Sequence, residues 1–473
     1  MVTQSNSQLA PPHGKNRKAE PIRITPTTPH EYIDERFTPF GGLLAFVKML
    51  PALAIDQLFE NTFVKPKRQP EKGHYFMFQG LIYLLIIGFQ RLYHFTYIAH
   101  DPMLLGALQI QALPAVSTFW RWLKSCGINQ ANSMLKLIAA VRERVWSQVG
   151  YRFTKVHVDA DTTVETVYGD IEGARRGHNR QHRGKKGLRP ILAFINETKE
   201  YLWGKLRRGV TVSGKDAVKL IKAIWPQLPS CVQEVVLRAD SEFFSEPAVK
   251  ACEKENVHYI ISTKKVKPEF DPDRWYQAPK GPAHIQYNSC EFQPGSWKTR
   301  RHFIAMRQPK KDASNAHGQQ PDFFEEEDYT LRIFVTDLPG AAHQLIAEYD
   351  DRAACETLIG EAKREGLCAI PSKSFRNNMV FFQIVMFVYN LWRHMQAIVD
   401  AKEQTQFQRH TIHVARLKLL FVAAKIVRHS DQVKIKFSQY LDFRPQLEKV
   451  FQFFDDLLRT PETWERPPAW GGT

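Results

Sequence analysis

The hydrophobic pattern of the chain changes period near residue 150, and that change limits the folds open to it. Across residues 37–149 apolar side chains recur at helical spacing with few β-branched alternations. Directly afterwards, "KVHVDADTTVETVYG" alternates apolar and polar residues as a half-buried strand does. Two more strands, "PILAFIN" and "YLWGKLRRG", flank the turn "ETKE". Ser213 then caps the helical stretch "GKDAVKLIKAIWPQL", and "EVVLRADSEF" supplies a fourth strand ending in an acid. A helix ("PAVKACEKEN") and a strand ("VHYIISTKK") complete the series. Meandering strands followed by helix-linked strands predict an α/β unit around one sheet.

At 473 residues the chain exceeds what one hydrophobic core supports, so several domains are expected. Residues 1–36 read as a disordered basic leader with neither a secretory signal nor an anchor, and 37–149 as an all-helical domain suited to binding DNA. The α/β core occupies 150–263 and resumes at 339–400. Between them, 264–338 is rich in Pro, Lys, Trp and turn residues and reads as a mostly β insertion, with a mobile acidic loop near "ASNAHGQQPDFFEEED". Residues 401–473 are expected to form a helical region and a polar tail. The most apolar runs, 75–89 and 379–392, are broken by Gln79 or by Gln383 and Asn390. They fall short of the ~20 residues a membrane span needs, which makes them buried helices. Six scattered cysteines, without a C-x-x-C pair or a His cluster at zinc spacing, fit reduced thiols of a cytoplasmic protein.

Lys and Arg total 65 against 49 Asp and Glu, a formal charge of +16. Such a surface attracts polyanions, so nucleic acid is the first partner to consider. The glycine-rich stretch "GARRGHNRQHRGKKGLR" concentrates Arg175, Arg176, Arg183, Lys185 and Lys186 beside the first strand. It reads either as a phosphate-tracking loop or as a solvated one, and the charge excess favours DNA. In "LPAVSTFWRWLKSCG", Ser117 or Thr118 caps a short helix that carries Arg121 and ends at Gly127. That helix is either the second of a helix-turn-helix or a core helix burying Phe119, Trp120 and Trp122. Trp297, in "GSWKTRRHF", either stacks on an unpaired base or simply packs.

Three acidic positions carry chemistry. Asp161 ends the first strand, with Asp159 on the same face; Asp240 ends the strand "EVVLRAD"; Glu356 lies in the helical stretch "EYDDRAACETLIGEAKREGL". Carboxylates meeting at one sheet edge repel one another unless cations lie between them, and oxygen-only ligation suits magnesium or manganese. On a helix Arg352, Glu356 and Lys363 fall along one face, with Tyr349 seven residues before Glu356. Such a face presents a metal-binding carboxylate flanked by groups that hold phosphates.

The spacing Y-x2-R-x3-E-x6-K, met by Tyr349, Arg352, Glu356 and Lys363, resembles the Y-R-E-K signature of DDE transposases from bacterial insertion sequences. "DADTTVETVYGDIEGARRGHNRQHRGKKGLRPILAFI" is similar to that family's first-aspartate region. "LRADSEFF" is similar to its second, with Glu242 where relatives commonly carry glycine, and "IPSKSFRNNMVFFQIVMFVYNLWRHM" to the segment after the glutamate. The resemblance covers about residues 151–395. It implies an RNase H-like core carrying a β insertion, with Asp161, Asp240 and Glu356 on two Mg2+ ions that Mn2+ can replace. Asp161, in the pattern D-x-T, is favoured over Asp159 as first ligand, and both are open to the metal. Tyr349, Arg352 and Lys363 are implied to grip the DNA backbone near the cleaved end. The implied activity is cleavage of double-stranded transposon ends and transfer of the 3' hydroxyl to target DNA, by a homodimer. A nuclease without strand transfer and a catalytically silent DNA-binding derivative are the alternatives.

Overall fold

The computed structural model describes residues 24–177, 182–209, 211–310, 329–403, 405–429, 432–439 and 441–459, with the backbone of 324–325. Most of the expected leader, most of the acidic loop and the C-terminal tail lie outside these residues. The chain divides into two units, Met1–Arg36 and Phe37–Thr473. All helices and strands among the described residues belong to the second.

A two-residue strand, β1 (Phe37–Thr38), opens it. Then come α1 (Leu43–Ala52), α2 (Ile55–Thr62), α3 (His74–Ile87), a 3-10 turn (Leu92–Ile98), α4 (Pro102–Ala107), α5 (Val116–Ser125) and α6 (Ile128–Val149). The helical period of the sequence is thus realised. Asp101 caps α4 by accepting from the N–H groups of Met103 and Leu104, with Pro102 at the first helical position. α3 is apolar nearly all round and is correspondingly buried. α5 departs from expectation at its start, where Ala115 rather than Ser117 or Thr118 is the cap residue and no side chain caps the helix.

The alternating segment forms β2 (Lys155–Thr162). Three short strands, β3 (Glu165–Thr166), β4 (Arg175–Arg176) and β5 (Lys186–Leu188), make a separate small sheet in the order β3-β5-β4. The chain then returns as β6 (Ile191–Ile195) and β7 (Tyr201–Lys205), antiparallel to one another, with β6 antiparallel to β2. α7 (Gly214–Gln227), closed by a Ser213–Asp216 capping box, leads to β8 (Glu234–Ala239). α8 (Glu246–Lys254) leads to β9 (His258–Thr263), and β8 and β9 run parallel to β2.

The segment expected to be a separate insertion instead extends this sheet. β10 (Gln286–Phe292), β11 (Arg301–Pro309), β12 (Phe324–Glu325) and β13 (Tyr329–Thr336) join it beyond β9. The order becomes β10-β11-β13-β9-β8-β2-β6-β7, with β12 on β13. Residues 333–336 pair antiparallel with 260–263. β9 and the end of β13 are buried along their length, and an open edge at β9 would leave a row of backbone groups unpaired.

Helix returns as α9 (Ala342–Asp350), a 3-10 turn (Asp351–Ala353), α10 (Ala354–Ala362) and a π segment (Lys363–Leu367). The long α11 (Phe375–Glu403) and α12 (Ile412–Leu419) follow. The region expected to be wholly helical then contains a hairpin, β14 (Ala424–His429) and β15 (Gln432–Phe437), before α13 (Arg444–Arg459). β14 pairs with β1, so the first and last strands of the unit share a sheet. The two helical ends also share a core. Phe46 packs on Trp392 at 4.7 Å and Phe78 on Phe387 at 5.4 Å, burying α11 between them. Among the described residues no single helix is long and apolar enough to cross a membrane.

One buried network joins the helical layer to the sheet. Arg142 of α6, fully buried, donates to Glu200 Oε2 at 2.8 Å and to the carbonyls of Gln227 and Tyr201. Trp146 donates to the other Glu200 oxygen at 2.7 Å. Removing one partner strands a charge in a dry interior. Arg142→Met is therefore expected to cost about 3–5 kcal/mol, read from urea denaturation, and a loss below 1 kcal/mol would show the joint to be dispensable.

Candidate active site

Side chains alternate along β2, so His157, Asp159 and Asp161 point to one face, and the α9–α10 segment lies across that face. Each meets a different partner. His157 bonds Glu197 through Nδ1 and Glu348 of α9 through Nε2, both at 2.7 Å. Burial alone would lower its pKa, but the two carboxylates prevail and raise it to about 9. Asp159, 1% exposed, accepts from Arg238 on the neighbouring strand through both oxygens, at 2.6 and 2.9 Å. Arg238 also donates to the Glu348 carbonyl. Asp161 Oδ2 lies 2.9 Å from Arg352 Nη2, which donates in addition to the Ala160 carbonyl at 3.0 Å.

Asp159 therefore leaves the set of candidate metal ligands, because both its oxygens are taken by a buried guanidinium. Asp161 stays. In the parallel ladder Ala160 stands opposite Ala239, so Asp161 and Asp240 are the next residues on adjacent strands at their carboxyl ends. Burial, then the charge of Asp161, pushes the Asp240 carboxyl up to about 7, with Glu242 adding to the effect and Arg352 opposing it. Glu242 pairs with Arg189 and accepts from Thr162 Oγ1 at 3.2 Å, tying the end of β2 to the return strand of the small sheet. Glu242 thus acts as a clamp.

The Tyr-Arg-Glu-Lys segment is continuous through its 3-10 turn, but its side chains do not share one exposed face. Tyr349 is 6% exposed, packs on Phe334 at 4.6 Å, and its hydroxyl donates to the Ala239 carbonyl at 3.4 Å. Arg352 is buried, and among the described residues its Nε has no hydrogen-bond partner. Lys363 donates to the Val164 carbonyl at 3.2 Å and lies 3.8 Å from buried Glu165. These three were expected to grip DNA; here they hold the helix onto the ends of β2, β8 and β3. Glu356, one turn beyond Arg352, is exposed. Among the described residues no three His, Cys, Asp or Glu side chains are gathered closely enough to hold a metal ion, so Glu356 does not close on the two aspartates. The pair itself suits a hard divalent cation: two oxygen donors on adjacent strand ends, where burial and then the charge of Asp161 hold a proton on Asp240 up to about pH 7.

The basic stretch forms the small sheet beside this site. Arg176 stands opposite Lys186, and Arg175 opposite Gly187, with Arg183 and Lys185 in the connecting turn; the five cations are exposed. Gly209 lets the chain cross this sheet closely, since a Cβ there would lie 2.1 Å from the Gly187 carbonyl oxygen. Residues 178–181 of the stretch lie outside the described residues.

Two expectations change elsewhere. Trp297 is 7% exposed and stacks on Phe244 at 5.1 Å, so its ring is unavailable to a base. On α5, Phe119 and Trp122 are buried as a core helix requires, whereas Trp120 is 39% exposed and donates to the Pro371 carbonyl at 3.2 Å. Arg121 is exposed and bonds Ser117 and Thr118 of its own helix. No two cysteines are paired. Sequence reasoning missed Arg238, His157, Glu348 and Arg189. The first had a readable signal: a lone cation inside the apolar run "EVVLRAD" must be buried beside an acid.

The family model for the transposase DDE domain, group 1, matches residues 35–458. The chain belongs to that family. No curated protein matches it. A similar solved structure is the cryo-electron microscopy structure of the piggyBac transposase synaptic complex with hairpin DNA. The two share 10% identity over 87% of this chain and 85% of that one, at a TM-score of 0.39.

Two pH dependences follow for this transposase. A carboxyl that binds its proton more tightly when folded makes stability fall as pH rises from its unfolded pKa near 4 to about 7. Asp240→Asn, measured without divalent ions, should gain stability relative to wild type at pH 8 and not at pH 4; equal differences at both would deny the raised pKa. His157 acts in the same direction at higher pH, its protonated form being the stabilised one: its stabilisation is complete below about 6.5 and is lost as pH rises through about 9. The stability gap between wild type and His157→Gln should accordingly narrow between pH 8 and 10, and a gap that stays constant would remove the charged histidine from the account.

Proposed function

We propose that this transposase cleaves the ends of a DNA element and joins them to target DNA at the carboxyl ends of β2 and β8. The observation that carries the reading is the apposition of Asp161 and Asp240 on adjacent parallel strands, with Asp240 raised to about 7 by burial and by its neighbour. Two carboxylates in that relation call for a cation, and on this reading it is Mg2+, or Mn2+ in its place. The strand order β7-β6-β2-β8-β9, antiparallel for the first three and parallel for the last two, supports an RNase H-like core.

Asp161 and Asp240 would hold the ions, with Glu356 as the third ligand from the exposed face of α10. Held by these carboxylates, divalent ions would supply Lewis-acid activation of the attacking water or hydroxyl and charge neutralisation at the leaving oxygen of a phosphodiester. The residues of the chain do the rest. Arg352 gives Asp161 a counter-charge, so that two acids can be kept adjacent before DNA arrives. Tyr349 and Lys363 fix the helix that carries Glu356. The exposed cations of the small sheet lie on the chain directly after β2 and are assigned to the phosphates of the bound duplex. Pairing of two ends by a homodimer follows the resemblance rather than any contact within the chain.

With end-bearing duplex and Mg2+, Asp161→Ala, Asp240→Ala and Glu356→Ala are each expected to lower cleavage by at least about 10^3-fold while retaining DNA binding. Products sized on a denaturing gel give the answer, and full cleavage by any of the three refutes its assignment. Supplying pre-cut ends with a free 3' hydroxyl separates transposition from simple hydrolysis: joined products are expected, and their absence would leave a nuclease.

A further inference from the structure

Asp161 and Asp240 stand one residue beyond Ala160 and Ala239, the last pair of the parallel ladder between β2 and β8. The ladder itself therefore does not set how their carboxylates face each other. β6 still holds the backbone of Asp161 and Thr162 from the other side, whereas Asp240 follows the last residue of β8. A chain of hydrogen bonds supplies the missing tie. The Thr162 N–H donates to Asp161 Oδ1 at 2.6 Å, and the Glu242 N–H donates to Asp240 Oδ1 at 3.1 Å. The Thr162 hydroxyl donates to Glu242 Oε2 at 3.2 Å. Thr162 and Glu242, whose backbones orient the two aspartates, are thus joined through their side chains.

Arg189 gives this link its direction. Its guanidinium pairs with Glu242 Oε1, and both Nε and Nη2 donate to Thr162 Oγ1 at 3.4 Å. A hydroxyl has one proton to give, and with Arg189 donating to its oxygen that proton goes to Glu242. Arg189 is itself rooted by its N–H on the Arg207 carbonyl at 3.0 Å. The Glu242 side chain is 26% exposed, and a partly exposed ion pair adds little to stability. What this one fixes is geometry.

We propose that Glu242 is a positioning residue: through Thr162 and its own N–H it holds the Asp161 and Asp240 carboxylates turned toward a common divalent cation, to which Glu242 is not a ligand. The inference rests on the cation of the proposed reaction. Outer groups that orient metal ligands govern affinity nearly as strongly as the ligands do.

The test measures Mn2+ binding to the full-length protein without DNA, from the electron paramagnetic resonance signal of the free ion. An Asp161→Asn/Asp240→Asn double variant gives the binding that belongs to other sites. Glu242→Ala should bind Mn2+ at least about tenfold more weakly, and so should Thr162→Val, which removes a hydrogen bond and no charge. Glu242→Gln, whose amide oxygen still accepts from Thr162, should lose less than about threefold. Unchanged affinity in Glu242→Ala and Thr162→Val, both folded by thermal melting, would overturn the inference and leave the cluster a structural tie. Weakening in both Glu242 variants with Thr162→Val unaffected would also overturn it, since charge at a distance would account for the loss. Should Glu242→Ala not fold, Thr162→Val against wild type decides. If wild type binds no more Mn2+ than the double variant, the metal reading of the site falls as well, a result distinct from a normal site that the Glu242 and Thr162 variants leave untouched.

Discussion

The structure around the site depends on a row of ion pairs between one strand and the helix laid across it. β2 presents His157, Asp159 and Asp161 at every second position, and each is met by a charge that fixes the α9–α10 segment or the strand beside it. Arg238 is the hinge of this row, since it holds Asp159 with one edge of its guanidinium and the Glu348 backbone with another. Apolar packing would hold a helix on a sheet just as firmly, but it would tolerate sliding by a fraction of a turn. Directional bonds to Ala160, Ala239 and Asp159 carbonyls set the register of the helix against the strand ends, and therefore the height at which Glu356 stands relative to Asp161.

That register brings two opposed demands together. On the proposed reading Asp161 and Asp240 stand adjacent to share a cation, and adjacency in a half-buried place disfavours ionisation of both. Arg352 resolves part of the conflict without any metal, because its guanidinium touches Asp161 and acts on Asp240 through space. The unsatisfied Nε on the same side chain shows that the arrangement is not saturated. Glu242 adds a further negative charge but is itself matched by Arg189, while among the described residues Asp240 is the member without a direct cationic contact.

Much of this was legible from the residues. The switch of period at residue 150 located the start of the sheet, and the acids at the ends of "KVHVDAD" and "EVVLRAD" marked the two strand tips that prove adjacent. What spacing could not reveal was the direction of each side chain across the signature helix. Tyr349, Arg352, Glu356 and Lys363 satisfy a helical face on paper, yet residues 351–353 tighten to 3-10 geometry and 363–367 relax to π. These changes of pitch rotate the flanking residues away from the ideal 3.6-residue face. Asp159 and Asp161 were alike by pattern, and only the position of Arg238 on the next strand separates them. The hairpin at 424–437 was missed because "AKIVRH" and "QVKIKF" are short alternating runs inside a region dominated by helical period, and the pairing of the first with residues 37–38 is a contact between the two ends of the unit.

The π segment also explains why the two ends matter to the site. Gly366, at φ 114°, breaks the ladder of the helix where neighbouring elements fasten it. Arg416 of α12 pairs with Glu365 and donates to the Ile86 carbonyl at the end of α3, and Gln90 donates to the Arg364 carbonyl. Four residues earlier Glu361 is held by Arg393 and by the Ile412 N–H. The helix carrying Glu356 is therefore fixed at its front by the sheet and at its back by both the first and the last helical layers. A buried ion pair adds little net stability over an apolar contact, but its geometry is strict, so a shift of α3 or α12 cannot leave the π segment where it was. Since Lys363 opens that segment and ties it to β3 at the foot of the small basic sheet, the cations beside the acids and the helical layers behind them are set by one continuous piece of chain.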